Sequence, residues 1–493
     1  MPDLFSSLLY IATPLPFILC LVGVFLGIIV GAIPGFSGAM LIALTIPVTF
    51  FMENTSSMVL LISMYVGSVS GGLISATLLR MPGTPSSIMT TMDGYPMAQK
   101  GQAARALGLG ITASFVGGLV SWFFLYFLSP VLAIWGTKFG PWESFSMAVM
   151  ALALIASLSS ASLLKGLLSA AMGVLVSLPG MDNSTGQLRL TFGFSELNSG
   201  FDLVPVLLGI FVFSQVFKDV SKRGGPVQVL ATDTKSIFMS LRDWKDQAVN
   251  MVRSSLIGTW IGFLPGVGGS VASIVAYSVA RNCSKTPEKF GTGFADGIVA
   301  SEASNNASIG GALIPLVTLG IPGSTVDAIL IGALLLHNLQ PGPMLFVTNP
   351  EIIYTIIATA FVANIVMFFM MSGMVRRIAR LSSIPSSLMM PVIVLCCLLG
   401  AISINNSVFD VWVTLAFGLL GYAMNYFKIP HGPFVIGFIL AELAESSLRT
   451  ALMASAGSME PLLHRPVALI FLTVTVFMLY YSLRKGRAAS RHD

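Results

Sequence analysis

Long apolar runs in this chain break twice at a proline-glycine corner, and a second break follows each corner at a similar distance. The corners read Gly31-Ala-Ile-Pro34-Gly35-Phe-Ser37-Gly38 and Gly262-Phe-Leu-Pro265-Gly266-Val-Gly268-Gly269. The second breaks read Met81-Pro-Gly-Thr-Pro-Ser-Ser87 and Ile321-Pro-Gly-Ser-Thr325, and each follows a pair of glycines. Backbone that leaves a helix at membrane depth must line a cavity or contact protein or ligand. Matched breaks in two halves therefore predict a binding site between two repeats.

The composition places these breaks in a membrane protein. Of the 493 residues, 55% are hydrophobic and 10% are charged, and the mean hydropathy is +0.86. A soluble globular chain carries about 25% charged residues. Apolar stretches of roughly 20 residues fit about 12 times along the chain, some of them at half length because of the breaks. We therefore expect an all-α integral membrane protein of about 12 transmembrane spans, with broken helices and re-entrant hairpins.

Loop charges predict that the two repeats have opposite orientations. The loop at 54–57 has no Lys or Arg, whereas its counterpart at 281–289 has three. The bias reverses in the next pair, where 93–105 is basic and 337–351 has no Lys or Arg. Because cytoplasmic loops are enriched in Lys and Arg, this alternation predicts an inverted-topology repeat.

The predicted organisation has four parts. Residues 1–217 form the first transmembrane repeat, 218–253 a basic cytoplasmic linker, 254–483 the second repeat and 484–493 a basic C-terminal tail. Strict inversion would place the basic tail outside, whereas its charge favours the cytoplasm. An unmatched final span would reconcile the two, and the side of the C-terminus stays open.

Other classes of ligand are disfavoured by the residue types. The net charge of +5 lies in short loops and not in a basic stripe with stacking aromatics, so no nucleic-acid partner is expected. The four cysteines and four histidines lack metal-ligand spacing. We expect no cofactor apart from a coupling ion.

The helix starts after the breaks favour an anionic substrate, because they offer unpaired N–H groups and the positive end of the helix dipole. Nearby hydroxyls either bind such a substrate or only cap the helices. Arg80 either pairs with a carboxylate or extends to the membrane interface. The candidate substrate-binding residues are Ser37, Arg80, Gly83, Thr84, Ser86, Ser87, Asn305, Asn306, Gly323, Ser324 and Thr325.

The carbonyl side of each break suits a hard cation, with Na⁺ and H⁺ both open as the coupling ion. The candidate Na⁺ ligands are Gly35, Gly266, Asn306 and Asp327. Asp327 also fits the first turn of a helix, where an acid complements the dipole. Of the acids near the asparagine pair, Glu302 is a better proton or ion candidate than Asp296.

Several separated motifs together resemble a known family. They are the segments Met81–Ala98, with Asp93-Gly-Tyr-Pro, and Ser301–Pro343, and the run Gly200-Phe-Asp-Leu-Val-Pro205. These segments look like the large membrane subunit of the tripartite tricarboxylate transporter family. The resemblance implies a permease of the bacterial inner membrane that works with a small four-span membrane subunit and a periplasmic substrate-binding protein. It also implies cation-driven uptake (symport) of carboxylates such as citrate, without fixing which carboxylate is carried.

Two other classes of function are the alternatives, a passive channel or membrane scaffold and an intramembrane serine protease. A passive channel would favour a continuous polar pore lining, whereas polarity here concentrates at the breaks. A membrane scaffold has no need of matched breaks. An intramembrane serine protease is suggested by Gly35-Phe-Ser37-Gly38, but a nucleophilic serine needs a nearby base and the first histidine is His337. No enzyme activity or catalytic residue is therefore predicted.

Overall fold

The computed structural model describes residues 3–158, 162–182, 185–221, 238–381 and 386–489, and apart from one short hairpin their regular structure is helical. The helices of the first part of the chain are α1 (Leu4–Ile11), α2 (Pro14–Ala32), α3 (Gly38–Thr49), α4 (Asn54–Leu78), α5 (Thr90–Met97), α6 (Ala103–Gly136), α7 (Pro141–Leu158), α8 (Leu163–Ser177), α9 (Leu203–Leu207) and α10 (Ser214–Ser221). The antiparallel hairpin consists of β1 (Gly180–Met181) and β2 (Leu188–Arg189).

The remaining helices follow the predicted linker. They are α11 (Leu241–Phe263), α12 (Gly268–Cys283), α13 (Ala295–Leu319), α14 (Thr325–Leu336), α15 (Leu345–Thr348), α16 (Pro350–Leu381), α17 (Ser386–Asn405), α18 (Val408–Tyr426), α19 (His431–Ala454), α20 (Glu460–Leu463) and α21 (Pro466–Ala489). The chain divides into two compact units, a first of residues 1–133 with 219–393 and a second of 134–218 with 394–493.

The helix content confirms an all-α membrane protein. Six helical segments of the described residues are long and apolar enough to cross a bilayer: Pro14–Ala32, Asn54–Leu78, Thr90–Gly136, Leu203–Val220, Pro350–Val375 and Val408–Tyr426. Shorter apolar helices of 10–17 residues accompany them, among them α3 and α14. The total of about 12 spans stays a prediction.

In the first unit, α2 packs along α4 without side chains between the two backbones. A Cβ on Gly27 would lie 2.5 Å from the carbonyl oxygen of Met64, and one on Gly31 would lie 2.1 Å from that of Ser68. Real Cβ atoms do not approach oxygen so closely, so these positions require glycine. Small residues at helix crossings allow this close packing in membranes.

The same contact recurs between α11 and α13. A Cβ on Gly258 would lie 2.2 Å from the carbonyl oxygen of Ser304, and one on Gly262 would lie 2.4 Å from that of Ser308. These glycines follow those of α2 by 231 residues, and the two serines follow the α4 carbonyls by 240 residues. The interval is the same for both glycines, and it is the same for both carbonyl residues. This agrees with a repeated helix pair. The inverted orientation of the repeats stays a prediction.

The proline-glycine corners end these helices as expected. Between α2 and α3, Gly35 has a φ of 95°, and between α11 and α12, Gly266 has a φ of 71°. Proline also interrupts the ladder, since it has no N–H to donate. Both corners therefore reverse the chain into a short second helix.

The second unit is held by similar glycine crossings and by a charged network. A Cβ on Gly173 of α8 would lie 2.0 Å from the carbonyl oxygen of Phe434 on α19. Arg189 of the hairpin donates to both carboxylate oxygens of Glu445 at 2.6 and 2.8 Å, and Arg449 bridges Glu445 to Asp182. The hairpin is thereby fixed on α19.

The predicted linker overlaps a helix, since α11 begins at Leu241 and residues 222–237 lie outside the described residues. Asp243 near its start pairs with Arg105 at 2.7 Å. Partial burial acts to raise the pKa of Asp243, but the hydrogen bonds from Arg105 and Ser240 outweigh it and lower that pKa. The domain boundaries drawn from the sequence stay predictions.

Inverted orientation can be checked by cysteine accessibility. The loop before α4 exposes Glu53 and the matching loop before α13 exposes Lys285, whereas the neighbouring Ser56 is buried. With Cys20, Cys283, Cys396 and Cys397 replaced, Glu53→Cys and Lys285→Cys should react with an impermeant maleimide from opposite sides of the membrane, because inverted repeats place these loops on opposite faces. Labelling of both variants from the same side would contradict the inversion.

Candidate functional site

The four breaks come together inside the first unit. The 3-10 turn Pro85–Ser87, at the second break of the first half, packs against α12, which follows the corner of the second half. In the same way α14 packs against α3. The second break of each half therefore lies against the helix that begins after the corner of the other half.

One crossing contains a buried carboxylate, and we call it the Asp327 cluster, consisting of Tyr65, Ser324 and Asp327. The Tyr65 hydroxyl lies 3.1 Å from Ser324 Oγ, which caps α14 by accepting from the Asp327 N–H at 3.3 Å. Both carboxylate oxygens of Asp327 are buried, and neither makes a hydrogen bond of normal geometry. Native proteins rarely leave buried polar atoms without such a hydrogen bond, which marks this carboxylate as a candidate ligand.

The other crossing contains a buried amide, and we call it the Asn305 cluster, consisting of Thr84, Ser86, Gly269 and Asn305. The Thr84 and Ser86 hydroxyls lie 3.0 Å apart. A Cβ on Gly269 would lie 2.9 Å from Asn305 Oδ1 and 3.1 Å from Ser86 Cβ, so only glycine lets α12 approach these two side chains this closely. Both polar atoms of the Asn305 side chain are buried, and neither has a hydrogen-bond partner in the part of the chain that the structure describes.

The two clusters occupy matching positions but differ in charge. An interval of 240 residues relates Tyr65 to Asn305, Thr84 to Ser324 and Ser87 to Asp327. The Asp327 cluster offers a carboxylate and hydroxyl oxygens, which are ligands that hard cations prefer. The Asn305 cluster offers an amide N–H₂ and hydroxyl donors without a negative charge, which suits a carboxylate.

Some of the predicted residues already use their polar atoms within the protein. Ser87 Oγ donates to the Thr84 carbonyl oxygen at 2.9 Å in the cap of the 85–87 turn. Ser37 caps α3 by accepting from the Met40 N–H at 3.2 Å. The hydrogen bonds of these two serines are therefore those of helix caps.

Asn306 joins the two central helices. Its Oδ1 accepts from Ser70 Oγ of α4 at 2.6 Å, and its Nδ2 donates to the Glu302 carbonyl oxygen at 3.2 Å. Asn306 therefore lies next to Asn305 in the chain, with its own amide engaged in holding α4 to α13.

The break glycines lie at close backbone contacts. A Cβ on Gly83 would lie 2.0 Å from the Gly31 carbonyl oxygen, and one on Gly323 would lie 2.7 Å from that of Gly262. The Gly266 N–H donates to the Pro322 carbonyl oxygen at 3.3 Å, which joins the second corner to the second break. Gly35 is exposed and Thr325 is half-buried at the first residue of α14.

Arg80 ends α4 in a conformation that glycine normally takes. Its φ is 57°, and Gly320, which ends α13 at the interval of 240 residues, has a φ of 70°. The exposed guanidinium lies 5.7 Å from the ring centroid of Tyr95. A left-handed residue other than glycine costs about 1–2 kcal/mol, and such strain often accompanies a functional position.

Sequence reasoning missed the structural role of Asp93. Its Oδ1 accepts from the N–H groups of Gly291, Gly293 and Phe294 at 2.7–3.0 Å, and its Oδ2 accepts from the Tyr277 hydroxyl at 2.8 Å. This carboxylate fixes the loop that starts α13. The loop glycines Gly291 and Gly293, both with positive φ, were the available sequence signal. Tyr65 was missed because its partner lies 259 residues away.

The described residues contain no group of three or more His, Cys, Asp or Glu that could hold a metal ion. A cation at the Asp327 cluster would therefore rely on one carboxylate with hydroxyl and backbone oxygens. Such all-oxygen sites suit Na⁺ at the unwound ends of broken helices.

The sequence matches the family model described as "Tripartite tricarboxylate transporter TctA family" over residues 17–436. Two similar proteins of Agrobacterium vitis have no assigned function. The "Uncharacterized 52.8 kDa protein in TAR-I ttuC' 3'region" is 34% identical over 479 residues, covering 96% of this chain and 95% of that protein. The "Uncharacterized protein in TAR-II ttuC' 3'region" is 35% identical over 211 residues, covering 43% and 87%. No solved structure matches the chain.

The unpaired amide at Asn305 should be costly for stability. A buried polar group without a partner costs about 1–3 kcal/mol, so Asn305→Ala should leave the thermal unfolding temperature in detergent unchanged or raised. Asp93→Ala should lower it strongly, since it removes charge-assisted bonds worth about 1.5–3 kcal/mol each. A large fall for Asn305→Ala would show that the amide is paired in the protein, and unaltered unfolding of Asp93→Ala would exclude the anchoring role.

The strain at Arg80 can be measured separately. Arg80→Gly should raise the free energy of unfolding by about 1 kcal/mol, because glycine adopts the left-handed region without a steric penalty. Lys428 is the matched control, since it is also exposed with a φ of 56°, and Lys428→Gly should give a similar gain. A loss of stability in Arg80→Gly alone would show that the contact with Tyr95 outweighs the backbone strain.

Proposed function

The chain belongs to the TctA family of tripartite tricarboxylate transporters, and from this premise we propose that it is the large permease subunit of a secondary transporter that takes up organic carboxylates together with a cation. It is a multi-pass membrane protein and one part of a system with partner subunits. The proposal adds a periplasmic binding protein that delivers the substrate, a small four-span membrane subunit, and a place in the bacterial inner membrane.

The observation that carries the proposal is the pairing of the two clusters in one unit. Breaks of both halves meet at two places in the first unit, and each place contains a buried polar side chain. Among the described residues, the Asp327 carboxylate makes no hydrogen bond of normal geometry and the Asn305 amide has no hydrogen-bond partner. Uncompensated polar groups are expensive at membrane depth and mark substrate and ion pathways. A membrane scaffold has no need for either group.

The Asn305 cluster is the proposed position of a substrate carboxylate. The amide N–H₂ of Asn305 and the hydroxyl of Ser86 would donate to the carboxylate oxygens. The Thr84 hydroxyl, hydrogen-bonded to Ser86, would hold that donor in place. This set has donors on two elements, α13 and the 85–87 turn, so a bound carboxylate would join the two halves of the first unit.

The Asp327 cluster is the proposed position of the coupling cation. The Asp327 carboxylate would neutralise the charge of the ion. The Tyr65 and Ser324 hydroxyl oxygens would supply two further ligands of its coordination shell. An attraction between the bound cation and the substrate anion would favour their joint occupancy, since charges interact strongly in a low-dielectric site. Coupling would follow from this mutual stabilisation.

Uptake by the complete system tests the function and the two positions together. Energised membrane vesicles that contain all three subunits should accumulate a dicarboxylate or tricarboxylate from a test panel. Ser86→Ala should raise the half-saturating substrate concentration roughly 10- to 150-fold, because a charge-assisted hydrogen bond contributes about 1.5–3 kcal/mol. Ser324→Ala should mainly raise the cation concentration needed for half-maximal uptake.

The control is Ser278→Ala, which removes an exposed hydroxyl of α12 that bonds only to the Ile274 carbonyl of its own helix. It should leave both concentrations unchanged. If the half-saturating substrate concentration were as unchanged in Ser86→Ala as in Ser278→Ala, the substrate would bind elsewhere. Failure of the complete system to accumulate any carboxylate of the panel would reject the function.

A further inference from the structure

A second buried acid, Glu302, lies on α13 outside both clusters. Its side chain has no exposed surface. Its Oε1 accepts from the Thr90 hydroxyl of α5, and its Oε2 accepts from the Ser114 hydroxyl of α6 at 3.2 Å. The Thr90 hydroxyl also lies 3.0 Å from Ser301 Oγ. Three hydroxyls therefore form the polar surroundings of this carboxyl group.

Among the described residues, the carboxyl group has no basic partner. None of the ion pairs formed by the described residues includes Glu302. Burying an ionised carboxylate without a counter-charge costs several kcal/mol, and more so at membrane depth. Protonation neutralises the group without a rearrangement of the helices. Because hydroxyls both donate and accept, they can rotate to form hydrogen bonds with either the ionised or the protonated carboxyl group.

Other titratable or charged groups lie on the elements packed against α13. They include Asp93 and Tyr95 on α5, Arg105 and Tyr126 on α6, Arg242, Asp243, Lys245, Asp246 and Arg253 on α11, Tyr277, Arg281 and Cys283 on α12, Tyr65 on α4, Asp327 on α14, and Asp296 on α13 itself. Asp93 is committed to Tyr277 and three N–H groups, and Arg105 pairs with Asp243. Among the described residues, the Glu302 carboxyl oxygens accept hydrogen bonds from the Thr90 and Ser114 hydroxyls.

Two backbone connections link Glu302 to the proposed carboxylate position. On α13, Glu302 precedes Asn305 by one helical turn, and the Glu302 carbonyl oxygen accepts from Asn306. On the other side, Thr90 follows the 85–87 turn that contains Ser86. A displacement of that turn toward a bound carboxylate would therefore also displace the hydroxyl that donates to Glu302.

We propose that Glu302 binds and releases a proton during each transport cycle, with Thr90 linking its protonation to occupancy of the Asn305 cluster. An O–H bond forms at a carboxyl oxygen of Glu302 when a proton enters from one side, and that bond breaks when the proton leaves on the other. No other bond changes. The inference rests on the proposed function and adds a proton to the coupling that the Asp327 cluster provides.

Glu302→Gln tests the proposal, because the amide has the shape of the protonated acid and cannot release a proton. Vesicles containing the complete system should accumulate carboxylate faster when an inward proton gradient is imposed at constant Na⁺. In Glu302→Gln this acceleration should be lost, while exchange of external for internal substrate continues. Glu53→Gln is the matched control, since Glu53 is exposed in a loop, and it should keep the acceleration.

Infrared spectroscopy of the purified chain gives a readout that does not depend on transport. The protonated-carboxyl C=O absorption that disappears on raising the pH should be weaker in Glu302→Gln than in the wild type, since only contributions of other buried acids such as Asp327 can remain there. The Glu302 component should be shifted in frequency in Thr90→Val, which keeps the acid and removes its donor. These spectra distinguish failure of this inference from failure of the transport function.

Two results would overturn the proposal. One is a Glu302→Gln system that still accelerates under the proton gradient. The other is a wild-type chain whose pH-dependent carboxyl band is unaltered in Glu302→Gln. If Glu302→Gln is not recovered as a monodisperse protein, Thr90→Val provides the test instead. An unshifted carboxyl band together with an unchanged response to the proton gradient in Thr90→Val would reject the proposed coupling through Thr90.

Discussion

The close approach of α2 to α4 and of α11 to α13 is the constraint on which the rest of the first unit depends. At four points the backbone of one helix contacts a carbonyl of the other at distances that leave no room for a Cβ atom. Such packing replaces the hydrophobic driving force that is missing between helices in lipid. Gly31 and Gly262 immediately precede the corners, so the close contact continues up to the point at which proline and glycine end each helix. The packing therefore holds both corners against the partner helix.

Much of this arrangement could be predicted from the sequence, because the signals were local. Pro34-Gly35 and Pro265-Gly266 end helices through the chemistry of the residues themselves, and the hydropathy indicated the membrane class. The partners across the unit could not be predicted. The hydrogen bond between Tyr65 and Ser324, for example, joins positions that no short-range pattern relates.

Hydroxyls and amides at the breaks illustrate a second limit. From the sequence, Ser86, Ser87, Asn305 and Asn306 were equivalent candidates. The structure separates them by their partners, since Ser87 and Asn306 are engaged in capping and helix pairing while both polar atoms of Asn305 are unpartnered. Residue type indicates what a side chain could bind. Only the surrounding atoms determine whether its donors and acceptors are still available.

The two halves differ in residue type at equivalent positions, and the proposed function depends on these differences. Positions related by the same interval contain Ser87 in one half and Asp327 in the other, and likewise Tyr65 and Asn305. A symmetric pair of sites would bind two ligands of one kind. Replacing one hydroxyl by a carboxylate, and one phenol by an amide, gives neighbouring clusters of opposite preference within one unit. In the proposed function, an anion and a cation would neutralise each other's charge at membrane depth, where neither would be stable alone. The coupling proposed for this chain would therefore depend on the two positions at which its halves differ.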